Sequence, residues 1–183
     1  MDRFRPRKRR RRKTLFGCVG MALLISACAG IPSGREGNHD AGAAHLHAVT
    51  RVGTPAALAC LMNHGADPDA REPETLHTLL ETAILTGRRD QVSTLLKAGA
   101  NPDLTDSVGN TALHIAAQTN QPWLALELLK AGAGPDIRNE QGKTFLTYLF
   151  LMRDDLLSQD ARDGKQEVVD WLRSHGLAAE PCC

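Results

Sequence analysis

Aromatic side chains are scarce in this chain: four Phe, two Trp and one Tyr among 183 residues. A core cannot then be assembled around large rings, and burial falls to Leu, Ala, Val and Ile. Short helices stacked on one another suit such side chains. The patterns that carry chemistry are missing too. There is no G-x-S-x-G elbow, H-E-x-x-H pair, Walker loop or Cys-x-x-Cys. No catalytic residue, metal ligand or cofactor is assigned, and an enzyme of unrecognised type stays only as the weakest alternative. Uncharged apolar sequence is short as well. The run from Leu15 to Ala27 stops before the roughly 20 residues that a membrane-spanning helix needs.

Charge is balanced only on paper. The chain carries a formal +1, yet nine of its 22 Lys and Arg, against one acid, fall in residues 1–27. The remaining residues hold 13 basic and 20 acidic side chains, a net charge of −7. An acidic body behind a basic leader argues against nucleic acid as the body's partner. Its size fits one domain.

The body repeats itself. Gly65-Ala66, Gly99-Ala100 and Gly132-Ala133 are spaced by 34 and 33, and Leu46, Leu80, Leu113 and Leu146 by 34, 33 and 33. Thr78, Thr111 and Thr144 keep the same step of 33. A fixed period near 33 means one supersecondary unit copied and stacked. The best copy runs Asp106, Gly109-Asn110-Thr111-Ala112-Leu113-His114-Ile115-Ala116-Ala117, then Leu128-Leu129-Lys130-Ala131-Gly132-Ala133. This resembles the ankyrin repeat, roughly D-x-x-G-x-T-P-L-H-x-A-A followed by a second helix and L-L-x-x-G-A-D. The resemblance implies an all-α solenoid of about four helix–turn–helix units with short β-hairpin-like tips.

The units are expected near 44–70, 71–103, 104–136 and 137–178, followed by a tail at 179–183. In the first, Ala44 to Val52 is helix one, and Pro55 opens helix two where its missing N–H costs nothing. Gly65 supplies the left-handed cap. Thr78 to Thr86 and Asp90 to Ala98 are the helices of unit two, and Pro122 repeats the Pro55 device. The inward rows of the second helices are Leu58/Leu61/Met62, Val92/Leu95/Leu96 and Ala125/Leu128/Leu129. Leu126 is expected to face solvent. Unit four departs, since the step from Gly132 to Gly176 is 44 rather than 33. The excess is inserted between its helices, in Met152 to Gly164. Its Leu149, Phe150 and Arg173 suit a terminal cap. Unit two departs at its tip, with Leu76 in the glycine position and Glu81 in the histidine position.

Arg3 to Lys13 is almost unbroken Arg and Lys, and the uncharged apolar block follows directly. That is the layout of a signal peptide. A nuclear-localisation or nucleic-acid run does not explain the apolar block, and Lys13-Thr14-Leu15 continues a twin-arginine signal poorly. The block ends Ile25-Ser26-Ala27-Cys28, which resembles the lipobox of bacterial lipoproteins; a plain secretory signal is the competing reading. The resemblance implies cleavage after residue 27 and acylation at Cys28, giving a membrane anchor. Ala29 is not the aspartate that retains such proteins in the inner membrane, so the implied place is the outer membrane, facing the periplasm. Residues 28–43 are then the lipidated cysteine and a flexible linker, with Gly30, Pro32, Gly34, Gly37 and Gly42.

Several residues look functional and have plainer roles. His114 matches the family histidine, which ties backbone and threonine between units. His47 is its counterpart, and with His39 and His45 it makes a poor metal clip, because an i, i+2 pair does not share a helix face. Asp67, Asp69 and Asp103 belong to inter-unit turns, where Asp is favoured locally. Cys60 is expected to pack as a small apolar side chain. Cys182-Cys183 forms a vicinal bridge, a cross-link between chains, or a frayed free tail.

Ankyrin arrays bind proteins, and the resemblance implies a protein partner held by the tips and the exposed side of helix one. Those positions are Arg71, Glu72, Glu74, Asp106, Ser107, Val108, Asn110, Gln118, Thr119, Arg138, Glu140 and Lys143. An acidic body would be reached fastest by a basic partner surface. The layout resembles inhibitors or immunity proteins tethered in the periplasm. The alternative is a scaffold or stabiliser of an envelope enzyme, as some periplasmic ankyrin proteins are for catalase.

Overall fold

The structure is a computed structural model that describes residues 39–151 and 153–179. The leader, Cys28, the linker up to residue 38, and Cys182-Cys183 lie outside the described residues. Among the described residues eight α-helices run in order: α1 His39–Val52, α2 Pro55–Asn63, α3 Leu79–Leu85, α4 Arg89–Lys97, α5 Ala112–Gln118, α6 Pro122–Lys130, α7 Phe145–Leu151 and α8 Gln159–Ser174. A 3-10 turn, Asp154–Leu156, precedes the last.

Local chemistry sets the helix starts. Thr78 caps α3 by accepting from the Glu81 N–H at 3.1 Å, and the Glu81 carboxylate accepts from the Thr78 N–H at 2.8 Å. This reciprocal pair satisfies two donors that the first turn leaves orphaned. Thr54 and Ser158 cap α2 and α8 in the single-sided way, each through its hydroxyl oxygen at 3.2 Å. Pro55 and Pro122 sit at the helix starts. Gly65, at φ 86°, turns the chain out of α2 as the pattern predicts.

Helices this short do not persist alone, so stacking must hold them. The first helices form one layer, with α1 on α3, α3 on α5 and α5 on α7. The second layer has α2 on α4 and α6 on α8. The buried core runs through the stack, from Leu58 through Leu79, Leu95, Leu113 and Leu128 to Val168 and Leu172. Buried Ala83, Ala112, Ala116 and Ala125 keep the layers close. Repeats also finish each other's helix ends. Arg88 Nη2 and Gln91 Nε2 both donate to the Gly53 carbonyl at 2.9 Å, and Gln121 Nε2 donates to the Ile84 carbonyl at 3.0 Å. Carbonyls at or just past the helix ends thus gain a side-chain donor from the next unit.

Four expectations need correction. α1 starts at His39, so residues 39–43 are helix rather than linker. The insertion in unit four is not all loop, because its second half lengthens α8 to 16 residues. That longer helix overturns the expectation for Leu126, which is buried at 8% exposure. Pro122 lies one turn before Leu126 on the same face of α6. A Cβ on Gly164 of α8 would lie 3.0 Å from the Pro122 Cγ, so α8 sits directly over that stripe. Cys60 is half-buried and disulfide-bonded, with its Sγ 3.7 Å from His64 Nδ1, so it is not simply apolar packing.

The last unit closes the stack. Leu149 is buried and Phe150 half-buried on α7, while Arg173 of α8 is exposed. Lys165 is nearly buried, with its Nζ 4.6 Å from the Phe150 ring centroid and 2.7 Å from Asp154 Oδ1. One side of this unit packs and the other carries charge, as a terminal repeat requires.

Candidate protein-binding face

Between the helix pairs the chain makes hairpin tips. Antiparallel bridges join Arg71 to Thr78 and Thr105 to Thr111, and the Asn139 N–H donates to the Lys143 carbonyl at 3.0 Å in the third. In the second tip the Asp106 carboxylate accepts from the backbone N–H of Val108 and Asn110 at 2.9 and 2.8 Å. Asn139 does the same in the third, accepting from Gln141 and Lys143 at 3.0 and 3.1 Å. Short polar side chains favour this local bonding.

The turn itself demands a left-handed residue. Gly109 holds φ 78°, and a Cβ there would lie 2.9 Å from the Glu140 nitrogen of the next tip. Leu76 adopts the same conformation at φ 57° without the freedom of glycine. Its N–H donates to the Glu72 carbonyl, and the Glu72 N–H donates to the His77 carbonyl, both at 2.9 Å. The first tip therefore closes at a steric cost of about 1–2 kcal/mol.

Tips are joined to one another as well. Arg71 Nη1 donates to the Thr105 carbonyl at 2.7 Å, and the Ser107 N–H to the Thr75 carbonyl at 3.3 Å. The Glu140 N–H donates to the Val108 carbonyl at 3.3 Å, and Asn139 Nδ2 to Asn110 Oδ1 at 2.9 Å. Deeper turns repeat the device. Asp69 accepts from the Asn101 N–H and Asp103 from the Gly134 N–H, each at 2.8 Å. The result is a braced row of loops whose backbone is spent inward.

His114 acts as the repeat pattern implies. Its Nδ1 accepts from the Thr111 N–H at 3.1 Å, and its Nε2 lies 3.0 Å from the Lys143 carbonyl of the next tip. Burial holds its pKa below the usual histidine value, so the neutral ring donates through Nε2. His47 is also lowered, chiefly by burial, and its Nδ1 lies 2.8 Å from Thr82 Oγ1. Glu81 is fully buried in the histidine position of unit two. Burial is the main force raising its carboxyl to about 7; the Thr78 N–H and nearby His77 oppose it, and Asp106 adds to it.

The structure divides the twelve expected surface residues. Glu74, Ser107, Val108, Gln118, Thr119, Arg138, Glu140 and Lys143 are exposed, and Arg71 and Glu72 are half-exposed. Asp106 and Asn110 are not surface residues, at 8% and 7% exposure, because their polar atoms are turned into the tip network. Glu72 is committed to Arg51 at 2.6 Å and to the Thr75 hydroxyl at 2.8 Å. The Thr75 bond is the first of the contacts that lower its pKa. Arg138 Nη1 donates to the Gly142 carbonyl at 2.7 Å.

Apolar members of this face were missed. Leu76 is 41% exposed at a tip, and Leu85 is 48% and Leu151 75% exposed at the ends of α3 and α7. Leu85, Gln118 and Leu151 are spaced by 33, so the period itself marks them as one row. Protein interfaces favour such a mixture of apolar centres and polar rim.

Comparison with known proteins agrees with this geometry. Over 100 residues the chain is 35% identical to Protein PhlB of Serratia liquefaciens, covering 55% of this chain. The chain spans 42% of that relative's length. The family model for ankyrin repeats (3 copies) matches residues 45–141, more than half of the chain, and the chain belongs to the ankyrin-repeat family, a protein-interaction module.

Proposed function

We propose that this chain is a membrane-tethered periplasmic module that binds one protein partner across its tips and the exposed ends of α3, α5 and α7, and inhibits it or protects against it. The observation that carries this reading is the braced row of tips. Backbone groups are bonded from tip to tip, while Glu74, Ser107, Val108, Glu140 and Lys143 stay outside. Such a face is preorganised, so little ordering cost is left for association. The acidic body favours a basic partner surface. Tethering rests on the lipobox resemblance at Cys28, and an anchor there would raise the local concentration at the membrane face.

Affinity capture from cell envelopes tests the reading. Glu74→Lys, Glu140→Lys and Lys143→Glu together change only exposed side chains, and each should shift stability by at most about 0.5 kcal/mol. The wild type should recover a defined protein that the triple variant loses at unchanged melting temperature. Equal recovery by both would move the binding surface elsewhere.

A further inference from the structure

We propose that Glu81 carries a proton in the folded protein and donates it to the Asn110 carbonyl, so that the second tip is held by a titratable hydrogen bond. The geometry comes from comparing consecutive repeats. Glu81 and His114 occupy one position, a single repeat period apart, and both accept from the N-cap threonine N–H through one atom. The second atom of His114, Nε2, reaches the Lys143 carbonyl. Lys143 is the counterpart of Asn110, again one period further on. Each of these two carbonyls also accepts the closing N–H of its own tip, from Asp106 at 2.9 Å and Asn139 at 3.0 Å. In unit two the matching second atom, Glu81 Oε1, is buried and has no hydrogen-bond partner among the described residues. A carboxylate oxygen there would confront a carbonyl oxygen, two acceptors with no proton between them. One proton on Oε1 repairs this, and it reproduces the bond that His114 makes.

The charged surroundings agree. His77 of the same tip approaches the other oxygen, Oε2, at 3.4 Å, and Asp106 of the next tip adds negative potential. From the packed helices, His47 of α1 bonds Thr82, and His114 of α5 is committed to Thr111 and Lys143. Of the charged residues of α4, Arg89, Asp90 and Lys97 are exposed. Among the described residues no buried cation sits there to hold an ionised Glu81. Its carboxyl, raised from 4.5 to about 7, then keeps a proton that the unfolded chain releases. Stability from this bond is complete below about pH 4.5 and is lost as pH rises through about 7. Above that, repulsion from Asp106 and the Asn110 carbonyl loosens the tip that carries Ser107 and Val108. Any effect on partner binding rests on the reading above; the protonation does not.

Two measurements on the full chain decide it. In protein labelled with 13C at Glu side-chain carboxyls, the Glu81 Cδ resonance should titrate with a midpoint near 7. Glu81→Gln can accept from Thr78 and donate to Asn110 at every pH, so it should fold and lack this titration. The ratio of wild-type to E81Q unfolding constants should rise about a hundredfold between pH 4.5 and 8. His47 and His114 oppose this trend, losing stability as pH falls below about 6.5, but they are common to both proteins and cancel in the ratio. A Glu81 Cδ that remains ionised down to pH 4.5, or a ratio flat with pH, overturns the proposal. If E81Q does not fold, the wild-type carboxyl titration alone decides.

Discussion

Leu128→Ala probes the stack where it should be least forgiving. Leu128 is fully buried on α6, in the same cluster as Ala125, Val168 and Leu172. The change removes about three carbons at about 0.8 kcal/mol each, so lost burial alone costs about 2.4 kcal/mol. A residual cavity adds to this, giving about 3–5 kcal/mol. Collapse around the hole is hindered because Gly164 of α8 already lies against Pro122 of α6. Urea unfolding followed by circular dichroism should show a lower midpoint. A reduced slope as well would mean that the terminal unit separates from the rest, since each repeat is coupled only to its neighbours. Leu126→Ala should cost less, being at the edge, yet clearly more than Lys130→Ala on the exposed side. A Leu128→Ala loss within about 1 kcal/mol of Lys130→Ala would refute the packing register.

The repeat was legible because its period is written in residues that the backbone itself requires. Gly65, Gly109, Thr78, Pro55 and Pro122 act locally, so their roles survive without knowledge of tertiary contacts. Leu126 was misread because its burial is supplied by α8, far later in the sequence, in a unit that breaks the period. Asp106 and Asn110 were misread for the opposite reason. A polar residue at a tip suggests exposure, but these two bond their own loop and are buried by it. The exposed row of Leu85 and Leu151 hid among apolar residues that look like core. Glu81 was visible as a departure from the pattern, whereas the lack of a partner for its Oε1 among the described residues depends on tertiary packing that the residue type does not reveal.

Two further outcomes are expected. Gly109→Ala should cost about 1–3 kcal/mol in the same urea assay, because φ 78° and a Cβ contact of 2.9 Å with Glu140 both oppose it; an unchanged midpoint would mean that the tips are not braced. Cys28→Ser should leave the chain uncleaved or free of the membrane on envelope fractionation, and continued cleavage with outer-membrane retention would remove the proposed anchor.

The central claim is that a protein is held at the tips, and site-specific photo-cross-linking in living cells tests it most directly. A photoreactive residue at Ser107 or Glu140 should give one defined adduct, and the same residue at Lys97 or Lys130, exposed on the second helices, should give none. Adducts from Lys97 and Lys130 with silence at Ser107 and Glu140 would contradict the account.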